Sequence, residues 1–283
     1  MPRKTILAFM EKSQPVSTLD RYRDMPGNEW HVQVAIVGIS PASPVYTLGV
    51  PPYGAFSFPD DWHETIQADL KSVADKANEV EAYLAEKEIP GSAVTIYCDR
   101  TMLEDEIARI ACVGNLAIAP PRKDLEEDLY SNLIGGILFK SPIGALVNAS
   151  DINKALKPEK VFLAWNRSLQ ASRAVHMALP MLAQAKEVML AIFDPVSTRH
   201  LDGEDPGADA AAWLARQGCN VTVTQFPSGG HDIADSIDER AREFGADLVV
   251  MGAYGHSWLR ERVFGGTTQK VLEKSDRPTL LAH

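Results

Sequence analysis

The chain has 283 residues, and its 28 Lys and Arg against 38 Asp and Glu give a formal net charge of −10, which argues against a nucleic acid or an anionic membrane held by net charge. Hydrophobic residues at 45% and charged residues at 23% match an ordinary globular protein and exclude disordered, collagen-like and coiled-coil classes. The length suits two domains of roughly 100–200 residues each, or one large barrel.

No apolar run nears the ~18–20 residues that cross a bilayer, and Met1-Pro2-Arg3-Lys4 leads only into Thr5 to Met10 before Glu11. A cytoplasmic location without a membrane or nucleic-acid partner is the expectation. Cys98, Cys112 and Cys219 lack CxxC spacing, so neither a disulfide framework nor a structural zinc site is indicated.

In chain order, Ile6 to Met10 reads as a strand. Only Ser17 to Asp24 is then available for a first helix before Pro26-Gly27, so that helix is missing or stunted. Strand Val32 to Ile39 follows, then a loop from Pro41 to Pro59 rich in Pro, Gly and aromatics, long enough for a lid or packing arm as well as for a plain surface insertion. Helix Asp61 to Lys87 places Ile66, Leu70, Val73, Ala77, Val80 and Leu84 on one face, and Pro90-Gly91 stops it. Strand Ala93 to Cys98, helix Leu103 to Cys112, strand Leu116 to Ala119 and strand Gly144 to Asn148 complete a first unit, with Asp151 to Pro158 as linker.

The second half repeats the plan. Lys160 to Trp165 is a strand, Ser168 to Ala183 a helix with Ser168 as N-cap, and Glu187 to Phe193 a strand. A loop with Pro195, Gly203 and Pro206 precedes helix Ala208 to Arg216, which Gly218 closes, and Asn220 to Phe226 alternates as a strand. Helix Asp232 to Phe244 ends at Gly245, and a buried strand, Asp247 to Met251, precedes a glycine-bearing loop. A helix near Thr268 to Lys274 and a strand, Pro278 to Ala282, finish the unit. Strands alternating with helices imply parallel sheets covered by helices on both faces. The fold class is therefore α/β: two tandem doubly wound units spanning 1–150 and 158–283, each with a five-stranded, mainly parallel sheet.

The strongest local signal is the run from Gly252 to Thr268, directly after a buried strand and entering a helix. Glycines there allow positive φ and close approach of backbone N–H groups. The helix N-terminus adds partial positive charge, so phosphate oxygens are the natural occupant, although turns need glycine as well.

The spacing, Gly252, two residues, Gly255, nine residues, Gly265, resembles the nucleotide-binding signature of the universal stress protein family, and the order and lengths of segments from Lys160 to His283 are similar to it. The duplicated plan resembles a tandem universal stress protein with a degraded first copy. That resemblance implies an adenine nucleotide α-hydrolase-like fold binding ATP or ADP with Mg²⁺, and an intramolecular pseudo-dimer joined through last strands, with further homodimerisation left open.

The same resemblance makes Gly252, Gly255 and Gly265 phosphate-binding positions. It puts Gly266 where Ser or Thr is usual, with Thr267 one place late, and Asn166 where Asp contacts the nucleoside. Ile192 falls at the position whose backbone addresses adenine. In the first half, Ala119-Pro120-Pro121 replaces the leading glycines, and proline has no N–H to donate. Gly135-Gly136 survive there, but one competent site is expected, not two.

Other features weigh less. Ser228-Gly229-Gly230-His231-Asp232 approaches the pyrophosphate loop of adenylating enzymes, but Ile233 replaces the expected Ser and the loop follows a third strand, which favours a turn with Asp232 near an N-cap. His231 and His256 have no nucleophile or carboxylate at catalytic spacing. Arg260 and Arg262 suit either a γ-phosphate contact or a solvated turn, and Trp165 either flanks a base or fills a buried strand position. The expected role is a nucleotide-responsive stress or signalling module with at most slow ATP hydrolysis and no catalytic residue or metal ligand assigned; a structural or interaction protein of the same fold is the alternative.

Overall fold

The computed structural model describes residues 3–25, 29–41, 60–195, 205–253, 266–274 and 276–283. The first half runs β1 (Lys4–Glu11), β2 (Trp30–Ile39), α1 (Asp60–Glu86), β3 (Gly91–Cys98), α2 (Leu103–Ala111), β4 (Leu116–Ile118), α3 (Glu127–Lys140) and β5 (Ala145–Val147). A short helix α4 (Ile152–Leu156) leads to the second half: β6 (Lys160–Ala164), α5 (Leu169–Leu182), β7 (Glu187–Phe193), α6 (Ala208–Arg216), β8 (Val221–Phe226), α7 (Ile233–Phe244), β9 (Leu248–Gly252), α8 (Thr267–Lys274) and β10 (Thr279–Ala282).

The two five-stranded units form one ten-stranded sheet of order β3-β2-β1-β4-β5-β10-β9-β6-β7-β8. Every pairing is parallel except β5 with β10, where Val147, Leu146 and Ala145 face Thr279, Leu280 and Leu281 in antiparallel register. The last strands of the two halves thus meet. The expected doubly wound α/β fold is observed, with the two sheets continuous at that seam.

Strands buried on both faces read as unbroken apolar runs, as in Val161-Phe162-Leu163 and Leu248 to Met251. One apolar layer joins α1, α4, α5 and α6 to one face, and a second joins α2, α3, α7 and α8 to the other; both layers pass from the first half into the second.

Three segments differ from expectation. The stunted first helix is a 3-10 turn, Val16–Tyr22, which buries Leu19 and Tyr22 under β1. The expected linker contains α4, because Ile152, Ala155 and Leu156 fall at i, i+3 and i+4 and bury together, while the Asp151 side chain accepts from Lys154 N at 3.0 Å as an N-cap. Helix α3 occupies a stretch assigned no element from sequence. Its residues Leu129 to Leu138 are buried apart from Ser131 and Asn132, so no amphipathic period advertises it.

Gly135 and Gly136 lie within α3. A Cβ at Gly135 would meet Glu104 Oε1 at 2.7 Å and one at Gly136 would meet the Glu104 carbonyl oxygen at 2.7 Å, so these glycines serve close packing of α3 on α2. The Pro41 to Pro59 loop lies outside the described residues, apart from Pro41 at its start.

Candidate functional site

In an open α/β sheet, ligands sit beyond the carboxyl ends of the strands where neighbouring strands send their helices to opposite faces. In the second half that point lies between β6 and β9, since α5 packs into one apolar layer and α8 into the other. Asn166, just after β6, and Gly252, at the end of β9, lie at this crevice.

At the end of β6, Trp165 N–H donates to the Ala191 carbonyl at 2.9 Å, and the chain turns through Arg167 at φ +56°. Asn166 is exposed, and its Oδ1 accepts from the Ser168 N–H at 3.2 Å and the Ser168 hydroxyl at 2.7 Å. Ser168 Oγ in turn accepts from Ala171 N at 3.1 Å and caps α5, as expected. The first-turn N–H groups of Leu169 and Gln170 and the Asn166 side-chain amide nitrogen have no partner among the described residues. Three donors therefore stand in one turn at the positive end of a helix.

Across the crevice, Gly252 ends β9 and pairs with Ala282 of β10. A Cβ on Gly252 would lie 2.5 Å from Ala171 N and 2.7 Å from the Gln170 carbonyl carbon, so only glycine lets the first turn of α5 approach β9 this closely. Gly266 precedes α8 and its carbonyl accepts from Lys270 N at 3.1 Å; Thr267 opens the helix. Gly255 and Gly265, with His256, Arg260 and Arg262, lie outside the described residues.

Ile192 is one strand away, in β7, where it pairs with Gln225 of β8 and buries its side chain. A Cβ on Gly207, at φ +85°, would meet Ile192 Cδ1 at 2.6 Å. The structure thus brings Asn166 and Gly252 together at one helix end, with Gly266 and Thr267 at the start of the other flanking helix.

Nearby carboxylates have structural partners. Hydrogen bonds from the Ser228 hydroxyl and N–H hold the Asp194 carboxyl below its ordinary range. Asp232 caps α7 by accepting from Ala234 N and pairs with Lys270 of α8 at 2.6 Å, an ion pair that lowers its pKa. Gly229 and Gly230 both adopt positive φ and His231 N–H returns to the Ser228 carbonyl, so Ser228 to Asp232 is the expected turn and cap. Among the described residues, no group of three or more His, Cys, Asp or Glu is placed to hold a metal ion.

The equivalent crevice of the first half is bridged. Glu11 N–H donates to Gln14 Oε1 at 3.0 Å, and Gln14 Nε2 donates to the Asp124 carbonyl at 2.7 Å, tying the end of β1 to the chain leaving β4 beside buried Pro120. Gln14 was not singled out by its sequence context; its role depends on a contact across 110 residues.

This fold places the protein in the class of doubly wound α/β proteins with a crevice at the strand switch point. Residues 158–283 match the family model described as the universal stress protein family. Over the whole chain, the fold is similar to a universal stress protein from Archaeoglobus fulgidus DSM 4304, with a TM-score of 0.64 at 16% identity covering 98% of this chain and 97% of that one.

Among curated relatives, the chain is 38% identical over 50 residues to the stress response protein NhaX of Bacillus subtilis, and 34% identical over 47 residues to the universal stress protein MJ0577 of Methanocaldococcus jannaschii. These stretches cover 18% and 17% of this chain and 30% and 29% of the relatives, so the chain matches under a third of the length of each. The chain carries a universal stress protein domain at residues 158–283. Among the described residues, no helix is long and apolar enough to cross a membrane.

Proposed function

We propose that the protein is a tandem universal stress protein whose second half binds ATP or ADP and whose first half has lost that capacity. The observation that carries this reading is the junction of Gly252 with the first turn of α5. It puts open N–H donors and the Asn166 amide at the switch point, directly before the glycine-spaced segment that resembles the family's phosphate loop. In the first half, Ala119-Pro120-Pro121 removes donors and the Gln14 bridge fills the corresponding gap.

In this reading the α5 amides and Gly266 receive phosphate oxygens, Asn166 addresses the nucleoside, and the backbone near Ile192 faces the base. Among the described residues, the Asp194 and Asp232 carboxylates near the crevice are engaged by Ser228 and Lys270, so in this reading Mg²⁺ draws on phosphate oxygens and water for its ligands. With no base or nucleophile assigned, the site retains nucleotide and does not turn it over rapidly, which suits a cytoplasmic stress or signalling module. The halves then form an intramolecular pseudo-dimer through β5 and β10.

Calorimetric titration of nucleotide-stripped protein with ATP and Mg²⁺ tests this. The expected stoichiometry is one per chain, abolished by Gly255→Val with folding retained. Two sites would refute the degeneracy of the first half, and absence of binding would make the protein an interaction module of the same fold.

A further inference from the structure

Beyond the crevice, a second concave site opens between α5 and α6, with a volume of about 230 Å³. Its lining includes none of Asn166, Gly252 or Gly266. That volume lies below the ~300–1,000 Å³ of sites for drug-sized ligands, so its occupant is small.

The lining has a specific chemistry. Trp165, at the end of β6, and Trp213, on α6, both pack against the core while remaining partly exposed. The imidazole of His176, one helix away on α5, lies 4.7 Å from the Trp213 ring, centroid to centroid, tilted by 59°. Leu163 and Leu214 line the site from the apolar layer, and Ser172 of α5 lines it as well. The charge comes from a single acidic side chain, Asp209, in the first turn of α6; no Lys or Arg lines the site. Asp209 Oδ1 accepts from the adjacent Ala210 N–H at 2.8 Å, and Oδ2 has no partner among the described residues.

Two indoles, one imidazole and one carboxylate around a small recess form an environment that attracts positive charge without supplying a hydrogen-bonded cradle for an anion. Ring faces present negative quadrupole density to a cation, and a weakly hydrated ammonium loses little on leaving water. We infer that this recess is a binding site for a small organic cation carrying a methylated ammonium group, held between the Trp165 and Trp213 rings and balanced by Asp209. The inference does not rest on nucleotide binding: of the lining residues only Trp165, next to Asn166, enters the nucleotide reading, as one that could flank the base.

Choline and its uncharged isostere 3,3-dimethylbutanol are the probes, titrated calorimetrically into the full chain at millimolar concentrations with and without ATP. Choline is expected to bind about tenfold or more tightly than the isostere, with Trp213→Ala weakening it at least about tenfold, Trp213→Phe restoring part of the affinity, and Asp209→Asn weakening it several-fold. Near-ultraviolet circular dichroism of each variant checks that the α5–α6 layer is intact. Equal binding of choline and the isostere, binding indifferent to Trp213→Ala or Asp209→Asn, or no choline binding by the folded wild-type chain would each overturn the assignment.

Discussion

Gly252 of β9 and Ala171 of α5 are separated by the space of a missing methyl group: a Cβ on Gly252 would lie 2.5 Å from the Ala171 nitrogen. The clash is with backbone, so rotation of a side chain cannot relieve it. Gly252→Ala is expected to push the first turn of α5 outward and cost about 2–3 kcal/mol of stability, within the range for overpacking. Urea denaturation checks this, and an unchanged midpoint would show that α5 is not pinned at this point. The same displacement moves the open N–H donors of Leu169 and Gln170, so nucleotide affinity is expected to fall with stability.

Ser168 links two functions, since its oxygen caps α5 at Ala171 N while its hydroxyl proton holds Asn166 Oδ1. Ser168→Ala is expected to cost about 1 kcal/mol as a lost N-cap. It also releases the Asn166 amide from a fixed rotamer, so nucleotide affinity should drop beyond the stability effect. Ser168→Thr should restore both, because its hydroxyl can make the same two contacts. Calorimetric titration of the two variants beside wild type separates these outcomes.

Local rules made much of the second half legible. The Ser168 and Asp232 caps and the left-handed Gly245 each depend on one residue and its immediate neighbours, and each stands where the sequence places it. Helix α3 escaped because burial on nearly all sides erases the helical period, and α4 because five residues carry too few turns to show one. That Asn166 follows β6 and Gly252 follows the run Asp247 to Met251 was legible from the strand pattern. The pressure of α5 on Gly252 and the Gln14 bridge were not, since both depend on where distant backbone segments meet.

Asp247 supplies an acid-sensitive lock between α4 and the second half. Its carboxylate pairs with Lys154 at 2.8 Å and accepts from the Glu159 and Lys160 N–H groups at 2.9 and 3.0 Å. Burial acts to raise its pKa, but the Lys154 ammonium and the two amides outweigh burial and hold the carboxyl below its ordinary range. A folded-state pKa below the unfolded value of about 3.9 means that the folded chain binds fewer protons there. The stabilisation is therefore present above pH ~4 and disappears as pH falls through the folded value. Denaturant midpoints measured from pH 7 downward should fall in that acid range, and Asp247→Asn should flatten this fall while lowering stability at pH 7 by about 1–3 kcal/mol. An unchanged acid slope in the variant would assign the transition to other carboxylates.

The seam between the halves is held by proximity as much as by pairing. A Cβ on Gly144, immediately before β5, would meet the Leu281 carbonyl oxygen of β10 at 2.7 Å and Met177 Sδ of α5 at 3.0 Å. Nearby, Arg173 donates to the His283 carbonyl at 2.7 Å, and the Phe139 and His283 rings lie edge to face with centroids 4.8 Å apart. The β5–β10 pairing spans only three residues on β5, so little else in the ladder can absorb an intruding side chain. Gly144→Val is expected to separate the two sheets locally at a cost of about 2–3 kcal/mol and to open residues 148–159 to limited proteolysis. Arg173→Met removes a single hydrogen bond at an exposed site and should cost under about 1.5 kcal/mol without exposing the linker. Equal proteolysis of the two variants would place the cohesion of the halves in the helix layers and not in the seam.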